Sequence, residues 1–403
     1  MALPVHRWFR YSAGFSAGWV TSVLDRFAAA GATRVLDPFA GSGTTLLCAE
    51  HRGIEALGLD AHPFVVRVAR AKLLSRGDAE AFASRTEEIL SRARARLGAT
   101  GGYPDLITRC YSQAALEQLD ALRRAVEESA DDSAAAALTW LCLVCILRPA
   151  SHVGTAPWQY VLPSRVKASA LNPFDAFAAM ARLMAADMRA VTAARVQGAP
   201  AVMLEADARN CSGVPDAYAD LVVTSPPYAN NYDYADATRL EMSFLGEVSG
   251  WGELQQVVRR HLVRSCSQHV PERAVDLHEV LSSDSLAAIR SDLGAVCRSL
   301  AEVRLERGGK KTYHLMVACY FADMARVWAA LRRVTAPSGT VCFVLGDSAP
   351  YGVHVPVMEW HGRLAEAAGF RGWRFEHIRD RNTRWKNRKH RVPLSEGMLW
   401  VDA

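Results

Sequence analysis

The chain has 403 residues, half of them hydrophobic and 22% charged, with a formal net charge of +5. This is ordinary globular composition, which excludes disorder as the main state, leaves room for two or three structural units at roughly 150 residues each, and permits a polyanionic partner without demanding one. The longest apolar run, Ala134 to Leu147, falls short of the ~20 residues of a membrane span, and the first residues lack an apolar signal region, so a cytoplasmic protein without membrane contact is expected.

Residues 1–75 read as α/β. Val35-Leu36 is a short strand that ends in Asp37, followed by a glycine-rich turn and a helical stretch from Leu46 to His51. Ala56 to Leu59 is a second strand, ending in Asp60, with a helix behind it to about Leu74. Gly41 and Gly43 remove side chains that would block close approach of a ligand to the backbone. The helix that follows offers free N–H groups. A phosphate-cradling loop would need a Lys after the last glycine, but positions 44 and 45 are Thr44 and Thr45. A dinucleotide fingerprint would need a third glycine where Leu46 stands.

Residues 76–200 are rich in Ala, Arg, Leu and Glu. Leu116, Leu119, Leu122 and Val126 recur at helical spacing, so this region reads as a helical insertion. Cys142-Leu-Val-Cys145 is the one CxxC among nine cysteines. It lies in the apolar run and no second pair completes a metal site, so it reads as a buried helix face and no metal is expected. Trp158, Tyr160, Arg165 and Lys167 mix aromatic and basic residues in a Pro-broken loop, a candidate for target recognition.

From residue 201 to 403 the α/β pattern returns. Val202 to Leu204 is a strand ending near Asp207. Leu221 to Thr224 is an unbroken apolar strand, as a buried parallel sheet requires. A helix over Met324 to Val334, a turn at Ala336-Pro-Ser-Gly339 and a strand over Val341 to Leu345 follow. The alternation predicts a mostly parallel, doubly wound sheet, with its site at the carboxyl ends of the strands. The strand at Leu221 runs into Ser225-Pro226-Pro227-Tyr228. The prolines fix φ and carry no N–H, so this corner presents carbonyl acceptors, the Ser225 hydroxyl and an aromatic plane. Such a set suits a flat heterocycle with an exocyclic amine.

Asp37-Pro38-Phe39-Ala40-Gly41-Ser42-Gly43-Thr44-Thr45 resembles the first motif of the amino-directed DNA methyltransferases, and Ser225 to Tyr228 resembles their fourth. The likeness covers about residues 10–75 and 201–400. It implies a Rossmann-like methyltransferase with a helical insertion, using S-adenosylmethionine as cofactor. Asp37, Pro38, Phe39, Gly41, Gly43, Thr44 and Thr45 would cradle that cofactor. Asp60 would accept from its ribose hydroxyls and Asp207 would lie near its adenine amine. Phe15 and Ser16 look like the tenth motif at the methionine end, although the family's Pro after this Ser is Ala17 here. The long insertion between Asp60 and Asp207 also departs from the family's usual breaks.

The T-S-P-P-Y form is commonest in enzymes acting on cytosine N4. No cysteine follows a proline, which speaks against attack on a ring carbon through a Cys nucleophile. Direct attack by an amine needs alignment, which can supply ~7–11 kcal/mol of a barrier. A base inside a duplex must be flipped out to reach such a corner. Ser225, Pro226, Pro227 and Tyr228 are the expected catalytic set, with Tyr232 and Asp233 lining the base pocket. The basic C-terminal stretch contributes Arg384, Lys386 and Arg388 as expected phosphate contacts. The partner expected is double-stranded DNA, with a cognate restriction or defence partner beside it. Adenine-N6 methylation, RNA amine methylation and a catalytically silent DNA-binding subunit stay open as alternatives.

Overall fold

The computed structural model describes all residues except 1–2, 12–13, 99, 157–159, 168, 195–197, 231–232, 271–272, 274 and 382–391. The chain opens with α1 (Ala17–Ala29), β1 (Arg34–Asp37), α2 (Thr44–Glu50), β2 (Glu55–Asp60) and α3 (Pro63–Leu73). Five helices follow before the next sheet strand: α4 (Ala79–Ala95), α5 (Asp105–Cys110), α6 (Gln113–Glu128), α7 (Ala134–Ala150) and α8 (Pro173–Ala193). Between α7 and α8 stand β3 (Val153–Thr155) and β4 (Val161–Val166), paired antiparallel.

The chain then returns to the sheet through β5 (Val202–Glu205) and β6 (Ala219–Thr224). Beyond them come α9 (Arg239–Phe244), α10 (Trp251–Val257), α11 (Leu277–Ser282), α12 (Arg290–Glu306) and α13 (Tyr313–Val334). The last elements are β7 (Thr335–Gly346), α14 (Val357–Ala367), β8 (Gly372–Arg381) and β9 (Leu394–Asp402).

Seven strands form one sheet in the order β5-β2-β1-β6-β7-β9-β8. Pairing is parallel from β5 through β7. β9 runs antiparallel to both β7 and β8. This is a mixed α/β architecture with a mostly parallel sheet. Chain order reverses between β1 and β6, so the connections from these two strands diverge to opposite sides and leave a crevice at their carboxyl ends.

Both faces of the sheet are covered, which explains the unbroken apolar strands. On one face Val35, Leu221, Val223 and Val344 pack with Val20 and Leu24 of α1 and Leu46 of α2. On the other, Leu36, Val222, Val341 and Phe343 pack with α13 and α14 through Trp328, Leu331 and Leu364. Neighbouring strand residues therefore point alternately into two different cores.

The helices between β2 and β5 share a third core with α3 and with the beginning of the chain. It joins Val5, Trp8 and Phe64 to Leu122, Leu141 and Phe177, and takes in Leu240 and Phe244 of α9. Cys142 and Cys145 are buried in α7 as free thiols. Two local expectations need correction. The stretch read as a Pro-broken loop contains β4 (Val161–Val166), which pairs with β3 upstream of it; Trp158 lies outside the described residues. The turn expected at Ala336 to Gly339 lies inside β7, as a bulge where Ala219 pairs with Thr335 but Leu221 with Thr340. Gly339 permits it, since a Cβ there would stand 2.8 Å from the Ala219 carbonyl. No helix among the described residues is long and apolar enough to cross a membrane.

Candidate functional site

β1 delivers Asp37 to the crevice. Its carboxylate is 1% exposed and accepts three hydrogen bonds, from Thr224 Oγ1 at 2.6 Å, Thr45 Oγ1 at 2.6 Å and the Phe39 N–H at 3.1 Å. Burial pushes its pKa up to about 6, and these donors work against that rise. The turn beyond needs its glycines. Gly41 and Gly43 have φ of 51° and 85°, and a Cβ on Gly41 would meet Tyr11 Cε1 at 3.0 Å.

β2 delivers Asp60 beside this turn. One oxygen accepts from the Gly41 N–H at 3.0 Å and the other from the His62 N–H at 2.9 Å. Burial raises this carboxyl also to about 6. Each oxygen keeps a further lone pair for a ligand.

β6 delivers the proline corner. Ser225 and Pro227 line the same cavity as Asp37, Pro38, Phe39, Gly41 and Asp60. Ser225 Oγ stands 3.3 Å from the Val344 carbonyl and donates to it. Beside the Tyr228 ring lies the Arg381 guanidinium of β8, 5.1 Å from its centroid. Burial pushes the Tyr228 hydroxyl up to about 12. Gly346 makes room for the pair, since a Cβ there would stand 2.7 Å from Arg381 Nη1 and 3.2 Å from Tyr228 Cε2.

The cavity spans about 790 Å³ of space between protein atoms, part of it open solvent. Phe15, Thr44 and Asp207 also line it. Ser16 occupies the position before α1 without a capping bond from its side chain. Neither Ser16, Gly43, Thr45 nor Pro226 contributes to the wall. Gly43 enables the turn and Thr45 acts through Asp37.

Several wall residues carry no local sequence signal. Tyr11 packs against Gly41, and Tyr234 lies just past the proline corner. His62 follows Asp60 and is pushed down to about 4 by burial, so its ring is neutral at pH 7. His261, Leu262 and Val263 close the side next to Asp207 and Ala208. They sit on an irregular strap between α10 and α11.

Asp233, expected in a base pocket, takes part in a buried ion-pair cluster. Its carboxylate is 3% exposed and pairs with Arg259 at 2.6 Å and His269 at 3.3 Å. Burial alone would raise it, but bonds from His269 and Arg259 outweigh burial and hold it at about 2. His269 is raised to about 10 by the same pairing, against the effect of burial. Asp233 therefore anchors the strap that carries His261 to Val263. Asp233, Cys266 and His269 also bring ligand-type atoms within 4.8 Å of one another. The Arg259 guanidinium on Asp233 would repel a cation there, so the ion-pair reading accounts for this cluster. Tyr232, Arg384, Lys386 and Arg388 lie outside the described residues.

Among known proteins, the chain is similar to type II methyltransferases. It is 31% identical over 155 residues to the type II methyltransferase M.AvaI of Nostoc sp., and equally to that of Anabaena variabilis. It is 30% identical over 161 residues to the type II methyltransferase M.BsoBI of Geobacillus stearothermophilus. The alignments cover 38% of this chain and 30–31% of the relatives, so the chain spans under a third of their length. No family model and no solved structure matches.

Proposed function

We propose that the chain is an S-adenosylmethionine-dependent DNA methyltransferase that modifies an exocyclic amine, with cytosine N4 as the preferred target. The observation that carries this reading is the shared cavity. The glycine turn after β1 and the proline corner after β6 line one space, joined by the Thr224–Asp37 hydrogen bond.

The residues fit the cofactor on three counts. The glycine turn leaves backbone where a Cβ would meet Tyr11. Asp60 has acceptor capacity for a pair of ribose hydroxyls. Asp37, Asp60 and Asp207 place carboxylates around a space suited to a cation. Bound there, the cofactor supplies an electrophilic methyl group on a sulfonium.

The chain's own groups do the rest. Ser225 and the Pro226 carbonyl hold the amine and orient its lone pair. Fixed by two prolines, these acceptors need little reorganisation. Tyr228 stacks on the extruded base, an interaction of ~1–3 kcal/mol that offsets the few kcal/mol of unstacking. The proton leaves to solvent after transfer, so no strong base is needed. The arginines of β8 (Arg374, Arg379 and Arg381) and the β3–β4 hairpin offer phosphate and groove contacts. A cognate restriction or defence partner belongs to the same reading.

The test is incubation with methyl-labelled cofactor and duplex DNA, followed by digestion to nucleosides. Label in N4-methylcytosine supports the full reading. Label in N6-methyladenine keeps the chemistry and replaces the base. Label in RNA alone, or none in any nucleic acid, overturns the proposal.

A further inference from the structure

The cavity wall beyond Asp60 is built from two separate pieces of chain. One is Asp207-Ala208 after β5, the other His261-Leu262-Val263 on the strap. Among the described residues no strand pairing joins them, and the Arg209 side chain bonds to both. Arg209 holds Asp207 through Nη2 at 2.7 Å and Nε at 2.8 Å. The same Nη2 donates to the His261 carbonyl at 2.9 Å. Nη1 lies 3.5 Å from the Asp323 carboxylate, which is fully buried on α13. Asp323 in turn accepts from the Arg264 backbone N–H, Nε and Nη2 at 3.0, 2.9 and 2.7 Å, so the strap is tied to α13 just past the wall.

We infer that Arg209 is a positioning residue for the nucleoside end of the cavity's ligand: it sets the spacing between Asp207 and the His261–Val263 wall. The inference rests on the proposed cofactor reading. Arginine suits the task because its planar fork serves several acceptors at fixed angles, which the point charge of a lysine does not. The Asp207 carboxylate, gripped on both oxygens, keeps one orientation while retaining lone pairs for a ligand amine. Without the guanidinium, Asp207 Oδ1 would keep the Arg209 backbone N–H at 2.8 Å, but no side-chain donor would bridge Asp207 to the His261 carbonyl, and the slot would widen.

The test is calorimetric titration of adenosine and of S-adenosylhomocysteine into the wild type, R209K, R209A and R333A, with thermal unfolding in parallel. Arg333 is the structural control. It supports the same loop through the Val214, Asn210 and Cys211 carbonyls at 3.1, 3.0 and 3.1 Å and does not line the cavity. The expected result is a loss of about tenfold or more in affinity for both ligands in R209A, corresponding to ~1.4 kcal/mol. R209K should lose less, and R333A should unfold earlier with affinities within about twofold of wild type. Unchanged affinity in R209A overturns the inference. An equal loss in R333A also overturns it, since general loosening would then suffice. Should R209A fail to fold, R209K decides: wild-type affinity there overturns the inference, and weakened binding supports it. A wild type that binds neither ligand overturns the cofactor reading itself.

Discussion

Thr224 donates its hydroxyl to Asp37 at 2.6 Å, across 187 positions of sequence. The end of β6 and the end of β1 thereby share one buried carboxylate, and the two motif segments are held over a common space. Thr224→Val keeps the side chain's shape and removes the donor. Hydrogen bonds to charged groups contribute about 1.5–3 kcal/mol, so the variant should lose stability of that order in denaturant unfolding. Equal stability would show that the link contributes nothing to holding the segments together.

Ligand binding should depend on pH through Asp60. Its carboxyl is raised by burial to about 6, and the proposed ribose contact needs the ionised form as acceptor. Affinity for S-adenosylhomocysteine should be flat above about pH 7 and fall as pH drops through about 6. The ligand-free chain should show the opposite sign from this group. A carboxyl raised above its unfolded value favours the folded state below that value, and the contribution is lost as pH rises through about 6. Asp60→Asn should remove Asp60's part of both dependences in calorimetry and unfolding, leaving that of Asp37.

Asp233 should matter for stability more than for substrate contact. Its partners Arg259 and His269 are buried, and removing one member of a buried pair costs about 3–5 kcal/mol. Asp233→Asn should show a loss of that order in urea unfolding. Restoring much of it by a second change, Arg259→Met, would show that the cost is the stranded guanidinium. A single variant as stable as wild type would contradict the anchoring role.

His361 supplies an acid-side signature. It is fully buried, and Trp328 donates its indole N–H to Nδ1 at 3.0 Å. An indole only donates, so Nε2 carries the ring proton and donates to the Tyr320 oxygen, also at 3.0 Å. Burial pushes the ring down to about 3, so it stays neutral where the unfolded chain's histidine charges. Its contribution is present above about pH 6.5 and lost as pH falls from there toward about 3. His361→Phe should flatten this part of the pH–stability curve, at a cost of about 1–3 kcal/mol at pH 7 for the orphaned indole N–H.

Tyr228 separates catalysis from cofactor binding. It lies outside the cavity wall, against Arg381. Tyr228→Ala should abolish methyl transfer while S-adenosylhomocysteine affinity, read by calorimetry, stays within about threefold, a shift under ~1 kcal/mol. Retained transfer would show that the base does not stack there.

The parts legible in the sequence are those whose signal is local. Val35-Leu36, Ala56 to Leu59 and Leu221 to Thr224 read as strands because they are short runs without polar alternation, as a sheet covered on both faces requires. The glycine turn and the double-proline corner read as ligand-facing because few other uses explain those residues in that order. What escaped depends on distant pairing. The Pro-Ser-Gly signal before Thr340 resembles any turn, and only the register against β6 makes it a bulge. The strap from Arg259 to His269 has no periodicity. Its shape comes from Asp233 and Asp323, which lie 26 and 59 positions from their arginine partners. Asp233 read as a pocket residue because it follows the corner closely, whereas its neighbours in space are two cations.

The most direct measurement is a crystal structure of the chain with S-adenosylhomocysteine bound. The account predicts the ribose at Asp60, the adenine between Asp207 and Leu262, and the thioether sulfur beside Ser225 and Pro227. Ligand density anywhere else, or a sulfur separated from the proline corner by protein, would contradict it.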